Sequence, residues 1–246
     1  MQLTSDQPLA VSVATALRAG DLDELRRLLD EHRDVASATI AFGDGTARSM
    51  LHMATDWPGH FPNNAESVRM LIDAGADVNA RFRGSHTETA LHWAASSDDV
   101  DVVDALLDAG ADIEADGAVI GGGTALTDAT AFGQWRAARR LIERGARSTL
   151  FESAVMGLLD RVTTDLGADP PPSPGEISRA FWGACHGGQP VVADYLLERG
   201  ADINWVAPWD GLAPLDAARR SEHSTIIEWL RERGAKPAHP QRRHLA

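Results

Sequence analysis

A single cysteine, Cys185, stands among 246 residues. That excludes an intrachain disulfide framework and any zinc or iron–sulfur site built from several cysteines. Tyrosine is as scarce, one residue against seven tryptophans. No apolar run approaches the ~18 residues that a membrane-crossing helix needs. The opening Met1-Gln2-Leu3-Thr4-Ser5-Asp6-Gln7 lacks the basic segment that begins a secretion signal. A cytoplasmic location without a membrane partner is the resulting expectation. Positive charge is also in deficit: 23 basic residues against 36 acidic leave a formal net charge of −13. A chain of this sign is repelled by phosphate backbones and anionic lipid, so no nucleic acid is expected as a partner.

What is present is periodicity. Gly-Ala recurs at 75–76, 110–111, 145–146, 200–201 and 234–235. Upstream of these pairs, Thr89-Ala90-Leu91-His92-Trp93-Ala94-Ala95 is echoed by Ser49-Met50-Leu51-His52-Met53-Ala54, by Thr124-Ala125-Leu126-Thr127-Asp128-Ala129 and by Ala213-Pro214-Leu215-Asp216-Ala217-Ala218. Each alanine-rich segment precedes an apolar i, i+3, i+4 segment such as Val102, Val103, Leu106 and Leu107, which predicts two short helices per unit. Neither helix can bury its stripe alone, whereas stacked copies can. A glycine after the second helix supplies the left-handed residue that ends it.

These segments resemble the ankyrin repeat, whose pattern includes Thr-Pro-Leu-His-x-Ala-Ala and a later Gly-Ala-Asp-Val-Asn. Gly75-Ala76-Asp77-Val78-Asn79, Gly110-Ala111-Asp112-Ile113-Glu114 and Gly200-Ala201-Asp202-Ile203-Asn204 are close matches. The resemblance implies an all-α repeat solenoid, an ankyrin-type stack of helix pairs with projecting hairpin-like loops. Register marks at Val13, Leu51, Leu91, Leu126, Leu150, Phe181 and Leu215 give about seven units over residues 1–236, the first atypical as a terminal repeat should be. The fifth is degenerate: residues 150–162 supply a first helix and part of a second. The Pro-rich stretch 165–176 then reads as an irregular connection and the one candidate boundary. Because the register resumes from Ile177, a single domain is expected, followed by a flexible tail over 237–246 that carries Arg242, Arg243 and His244.

Candidate site residues come from departures. The second unit has an insertion between its helices that carries Asp56, Trp57, Pro58, His60, Phe61 and Pro62, more ring and backbone restriction than a turn requires. Long connections around His86, around Gly121-Gly122-Gly123, and around Trp205 and Trp209 lead into the third, fourth and seventh units. In the family such connections and the first helices line the binding face. The position after the family histidine holds Met53, Trp93, Asp128 and Gly183, with Asp98, Phe132 and His186 nearby. The binding-face candidates are therefore Asp56, Trp57, His60, Phe61, His86, Trp93, Asp98, Asp128, Phe132, His186, Trp205 and Trp209.

His52 and His92 occupy the family histidine position, where the ring secures neighbouring backbone by hydrogen bonds. Cys185 replaces a packed alanine and reads as a small buried hydrophobe. Its neighbour His186 points about 100 degrees away on a helix, so adjacency makes no catalytic pair. No short ligand motif such as His-x-x-x-His marks a metal site, and neither metal nor cofactor is expected. The leading function is a protein-binding scaffold whose acidic, Trp/His-bearing concave face takes a protein or peptide ligand, a basic one by charge complementarity. The alternative is a small-molecule-binding protein or an acid–base enzyme with a pocket on that face. The shape of the face discriminates: an open groove favours a peptide, a closed pocket a small ligand.

Overall fold

The computed structural model describes residues 1–238. Most of the expected tail over 237–246, with Arg242, Arg243 and His244, lies outside the described residues. Among the described residues are fourteen helices and three short strands. The chain divides into two compact units, Met1–Arg147 and Ser148–Ala246. The first holds the pairs α1 (Pro8–Ala19) and α2 (Leu22–Glu31), α3 (Met50–Ala54) and α4 (Asn64–Asp73), α5 (Ala90–Ser96) and α6 (Val100–Asp108), and α7 (Ala125–Phe132) and α8 (Trp135–Glu143). The second holds α9 (Leu150–Val155) and α10 (Leu159–Leu166), α11 (Pro174–His186) and α12 (Pro190–Leu197), and α13 (Pro214–Arg220) and α14 (Ser224–Glu232). The architecture is the expected helix-pair repeat. No helix among the described residues is long and apolar enough to cross a membrane.

The recurring Gly-Ala acts through the backbone. Gly110 turns left-handed at φ +87, and this returns the Ala111 N–H to the Leu106 carbonyl at 3.0 Å. The same six-to-one bond joins Ala76 to Leu71, Ala146 to Leu141, Ala201 to Leu196 and Ala235 to Leu230. It satisfies a carbonyl that the helix end leaves open. The five leucines that accept it are fully buried. One dipeptide thus stops the helix and fixes the layer residue against its neighbours.

A feature absent from the periodicity sits at the start of the first unit. β1 (Gln2–Thr4) pairs in parallel with β2 (Thr39–Ala41), and β2 pairs antiparallel with β3 (Ala47–Ser49). Asp44 accepts from both the amide and the hydroxyl of Thr46 to shape the hairpin turn. Arg83, from the next connection, exchanges backbone bonds with Ala47 at 2.8 and 2.9 Å. Successive connections are therefore tied side by side.

The fifth repeat differs from its reading. Thr149 and Glu152 form a reciprocal capping box, the side chain of Glu152 accepting from the Thr149 amide at 2.8 Å. That places Leu150 at the first helical position and Phe151 at the second, where Leu91 and Leu126 stand in α5 and α7. The register mark belongs to Phe151. α10 continues to Leu166 and α11 begins at Pro174, so the irregular connection is narrower than 165–176 and lies inside the second unit. Gly167-Ala168 follows α10, but Gly167 sits at φ −88 and Ala168 bonds Asp165, so the usual closure is missing. Gly183 lets α11 approach α9: a Cβ there would lie 2.9 Å from the Phe151 ring. Cys185 is buried, and burial raises its thiol pKa.

Leu106 is fully buried and also accepts the helix-closing bond. Leu106→Ala should lower unfolding free energy by roughly 2–4 kcal/mol through the cavity it leaves. Urea denaturation within ~1 kcal/mol of wild type would contradict that role.

Candidate functional site

The site is built from columns, residues that occupy equivalent positions in successive repeats. Arg48, Glu88 and Gly123 immediately precede the caps of α3, α5 and α7. Met53, Trp93 and Asp128 are the fourth residues of the same helices. Trp57, Ser97 and Phe132 form a third column, each standing eight residues after the cap of its helix, at Ser49, Thr89 and Thr124. Between these columns lies a groove of about 570 Å³, lined chiefly by Arg48, Asp56, Trp57, Glu88, Trp93 and Phe132. Ser96, Ser97, Thr55, Gln134 and Val119 complete it.

The cap histidines hold the first column in place. The Thr89 amide donates to Nδ1 of His92, so Nε2 carries the proton and faces the Gly123 carbonyl at 3.4 Å. His52 likewise meets Ser49 Oγ at 2.7 Å through Nδ1 and the Glu88 carbonyl at 3.0 Å through Nε2. Each ring caps its own helix and grips the residue before the next one. Burial pushes the pKa of both imidazoles down to about 4. They are framework groups, as the repeat pattern implied.

Arg48 stacks against two rings, 4.7 Å from the Phe42 centroid and 5.1 Å from that of Trp93. Its Nη1 donates to Asp56 at 2.7 Å, and Arg18 reaches the same carboxylate at 3.8 Å. Asp56 is thereby neutralised. Trp93 meets His52 edge-on at 4.8 Å and packs against Phe82 at 5.5 Å. Its indole lies near the Glu88 carboxylate and favours the ionised form of that group. Glu88 is 6% exposed, and burial raises its pKa, against the opposing influence of the nearby Trp93 indole. The rim is apolar and wet, with Trp57 at 82%, Phe132 at 48% and Val119 at 41% exposure.

Asp128, expected on the surface, is wholly buried. One carboxylate oxygen accepts from the Ile120 amide at 3.3 Å; the other is buried without a partner. Burial, with the charge of Glu88 adding to it, pushes its pKa up to about 7. Asp128 therefore anchors the 118–123 turn beneath the groove. A bulky loop folded over the helix, not the helix face itself, hides it.

The remaining candidates divide in two. In the first unit, the insertion is a strap across helix pairs: His60 Nε2 donates to the Ser97 carbonyl at 2.7 Å and its amide to Asp99 at 3.1 Å. Asn63 donates to the Gly20 carbonyl at 2.9 Å. Phe61 is half-buried on that strap, and His86 is half-buried two residues before Glu88. Asp98 accepts from the Ala137 amide at 2.7 Å, a connection between neighbouring repeats. His186, Trp205 and Trp209 belong to the second unit. His186 is buried against Trp182, with Nδ1 2.8 Å from Ser221 Oγ. Trp209 meets Trp182 edge-on at 5.2 Å and Trp205 at 5.6 Å. Arg179 lies over Phe151 and Trp209, and Arg220 over Trp182. Among the described residues no three His, Cys, Asp or Glu groups gather as a metal ligand set.

Arg48 and Glu88 were missed as site residues. Their signal was positional: each stands directly before a Ser or Thr cap, the place a repeat alignment marks as the next step of one column.

Comparison with known proteins bears on the fold. Models described as ankyrin repeats match residues 83–151 and residues 51–107. An ankyrin repeat and KH domain-containing protein of Caenorhabditis briggsae is 30% identical over 186 residues, covering 72% of this chain and 7% of that protein. Palmitoyltransferase AKR1 of Kluyveromyces lactis is 34% identical over 106 residues, 43% of this chain and 13% of its own length. The chain thus spans a small fraction of the relatives it matches.

The buried titratable groups oppose one another in acid. His52 and His92 fall from 6.5 to about 4 on folding, so between those values the unfolded chain binds the extra protons and stability drops as pH falls. Asp128 rises from 3.8 to about 7, so in the same window the folded chain binds the extra proton and gains stability as pH falls. Asp128→Asn should therefore steepen the acid loss between pH 6.5 and 4.5 by about 1.4 kcal/mol per pH unit. Urea unfolding at those two pH values checks it, and parallel slopes would contradict the buried carboxyl.

Proposed function

This chain is an ankyrin-repeat protein, and we propose that it serves as a cytoplasmic protein-binding scaffold whose partner seats in the groove of the first unit. Ankyrin repeats are protein-interaction modules, and the finer reading concerns where and how. The observation that carries it is the open, aromatic-rimmed groove between Trp57, Trp93 and Phe132. Trp57 is 82% exposed on a strap whose backbone is pinned by His60 and Asn63. A large ring held in water by a fixed backbone is pre-organised to be covered by a partner, at little entropic cost on binding. Openness favours an extended peptide over an enclosed metabolite. A net charge of −13 steers a basic partner toward the chain.

Asp56, Trp57, Trp93 and Phe132 are the contact residues of this proposal. His60, Phe61, His86, Asp98 and Asp128 shape the strap and turns that present them. Trp205 and Trp209, on their arginine-backed platform in the second unit, form a separate contact surface, with His186 packed behind Trp182. The second reading is a small amphipathic ligand, favoured by a groove of about 570 Å³, a volume ordinary for such sites.

Trp57→Ala with Phe132→Ala tests the scaffold reading in the full chain. Binding of a captured partner should fall by roughly thirtyfold or more, as loss of central aromatic anchors does. Stability should hold within about 0.5 kcal/mol, because both side chains are exposed. Recovery of one stoichiometric metabolite and no protein from the native host would transfer the groove to the rival reading.

A further inference from the structure

The ionic arrangement of the groove is lopsided. Its one basic lining residue, Arg48, is committed to Asp56 at 2.7 Å, and Arg18 adds a second cation to that carboxylate. Glu88 lines the same groove, almost fully buried, with the Trp93 indole beside it and no arginine paired to it among the described ion pairs. Behind it lies a second buried carboxyl, Asp128, close enough for the two to repel. His86 is the other titratable group that acts on Glu88. A nearly enclosed carboxylate beside an aromatic wall, without a paired arginine or lysine, is a receptor for a cation supplied from outside.

We propose that the groove selects a single lysine or arginine side chain of a partner peptide, its cation on Glu88 and its methylene stem along Trp93, with apolar neighbours of that residue covering Trp57, Phe132 and Val119. The inference rests on the groove being the partner site and adds the chemistry that it reads. Charge complementarity selects the occupant. An acidic side chain would meet Glu88 with Asp128 behind it, and a purely apolar one would leave the buried carboxylate dry and unpaired. A long stem suits the depth, because lysine and arginine bury their methylenes while the charged end finds its partner. The raised pKa of Glu88 is consistent with this: a bound cation would hold the carboxylate ionised where burial alone disfavours it.

The test is selection of random nonapeptides displayed on phage against the full chain, followed by titration of the synthetic winner. The selected peptides should share one lysine or arginine flanked by apolar residues. Replacing that residue by norleucine should weaken binding about tenfold or more, and Glu88→Gln should do the same. The two changes together should cost little more than either one, and Glu88→Asp should retain part of the affinity. Circular dichroism and unfolding of the Glu88→Gln protein separate lost folding from lost recognition. Peptides that bind, compete with one another and depend on Trp57, yet tolerate both norleucine and Glu88→Gln, would overturn the cation reading and leave the groove as partner site. Selection of no peptide, or of peptides indifferent to Trp57→Ala, would overturn both.

Discussion

The contact on which the first unit depends is a histidine that serves two backbones at once. His52 and His92 cap their own helices with Nδ1 and donate from Nε2 to a carbonyl in front of the next helix. A neutral imidazole has one acceptor and one donor on opposite sides of the ring, so it can bridge two elements where a carboxylate, an acceptor only, cannot. Burial keeps both rings neutral at physiological pH. The carbonyl that His52 grips belongs to Glu88, whose side chain lines the groove. Repeat spacing and the placing of the site carboxylate are consequences of the same hydrogen bond.

Where the histidine is absent, the link changes. Thr127 accepts from the Thr124 amide within its own turn, Glu152 closes a capping box with Thr149, and Asp216 accepts from the Ala213 amide in front of its helix. In the second unit the close approach of helices takes over, through the glycine at 183 and the packed cluster of Phe181, Cys185, Leu196 and Leu215. The two units thus share a repeat and differ in what holds successive copies together. Their surfaces differ accordingly. The groove presents a carboxylate between rings, whereas around Trp209 the rings are backed by Arg179 and Arg220.

Much of this was legible before any coordinates. Seven helix pairs follow from the recurring Gly-Ala and the alanine-rich segments, because a left-handed glycine and a stripe of leucines are local requirements written in local sequence. The fifth repeat was misregistered by one residue, although Thr149-x-x-Glu152 carries the capping signature that sets it. Asp128 was assigned to the surface from its column, and only the turn of Val119 and Ile120 folding back on it makes it buried. Glu88 and Arg48 escaped notice because a charged residue in a connection looks solvated. Each is enclosed by groups from another repeat, Glu88 by Trp93 and the backbone gripped by His52, Arg48 by Phe42, Trp93 and Asp56. The three-stranded sheet was invisible for the same reason: its strands are three residues each and two of its partners lie some forty positions apart.

The sequence by itself determined the repeat, the helix boundaries that glycine and capping residues impose, the framework role of His52 and His92, and a strong negative charge. The repeat and its boundaries rest on interactions within about five residues and the charge on composition, neither of which needs a third dimension; the histidines' role was implied by the resemblance of their repeat position, and its far half, the bonds to Glu88 and Gly123, joins residues of different repeats. The tertiary structure decided which tryptophans share a groove, which carboxylates are neutralised by arginine, and that Glu88, lining the groove, has no arginine among the described ion pairs. Burial and pairing are properties of neighbours contributed by different repeats, so no single repeat read along the chain contains them.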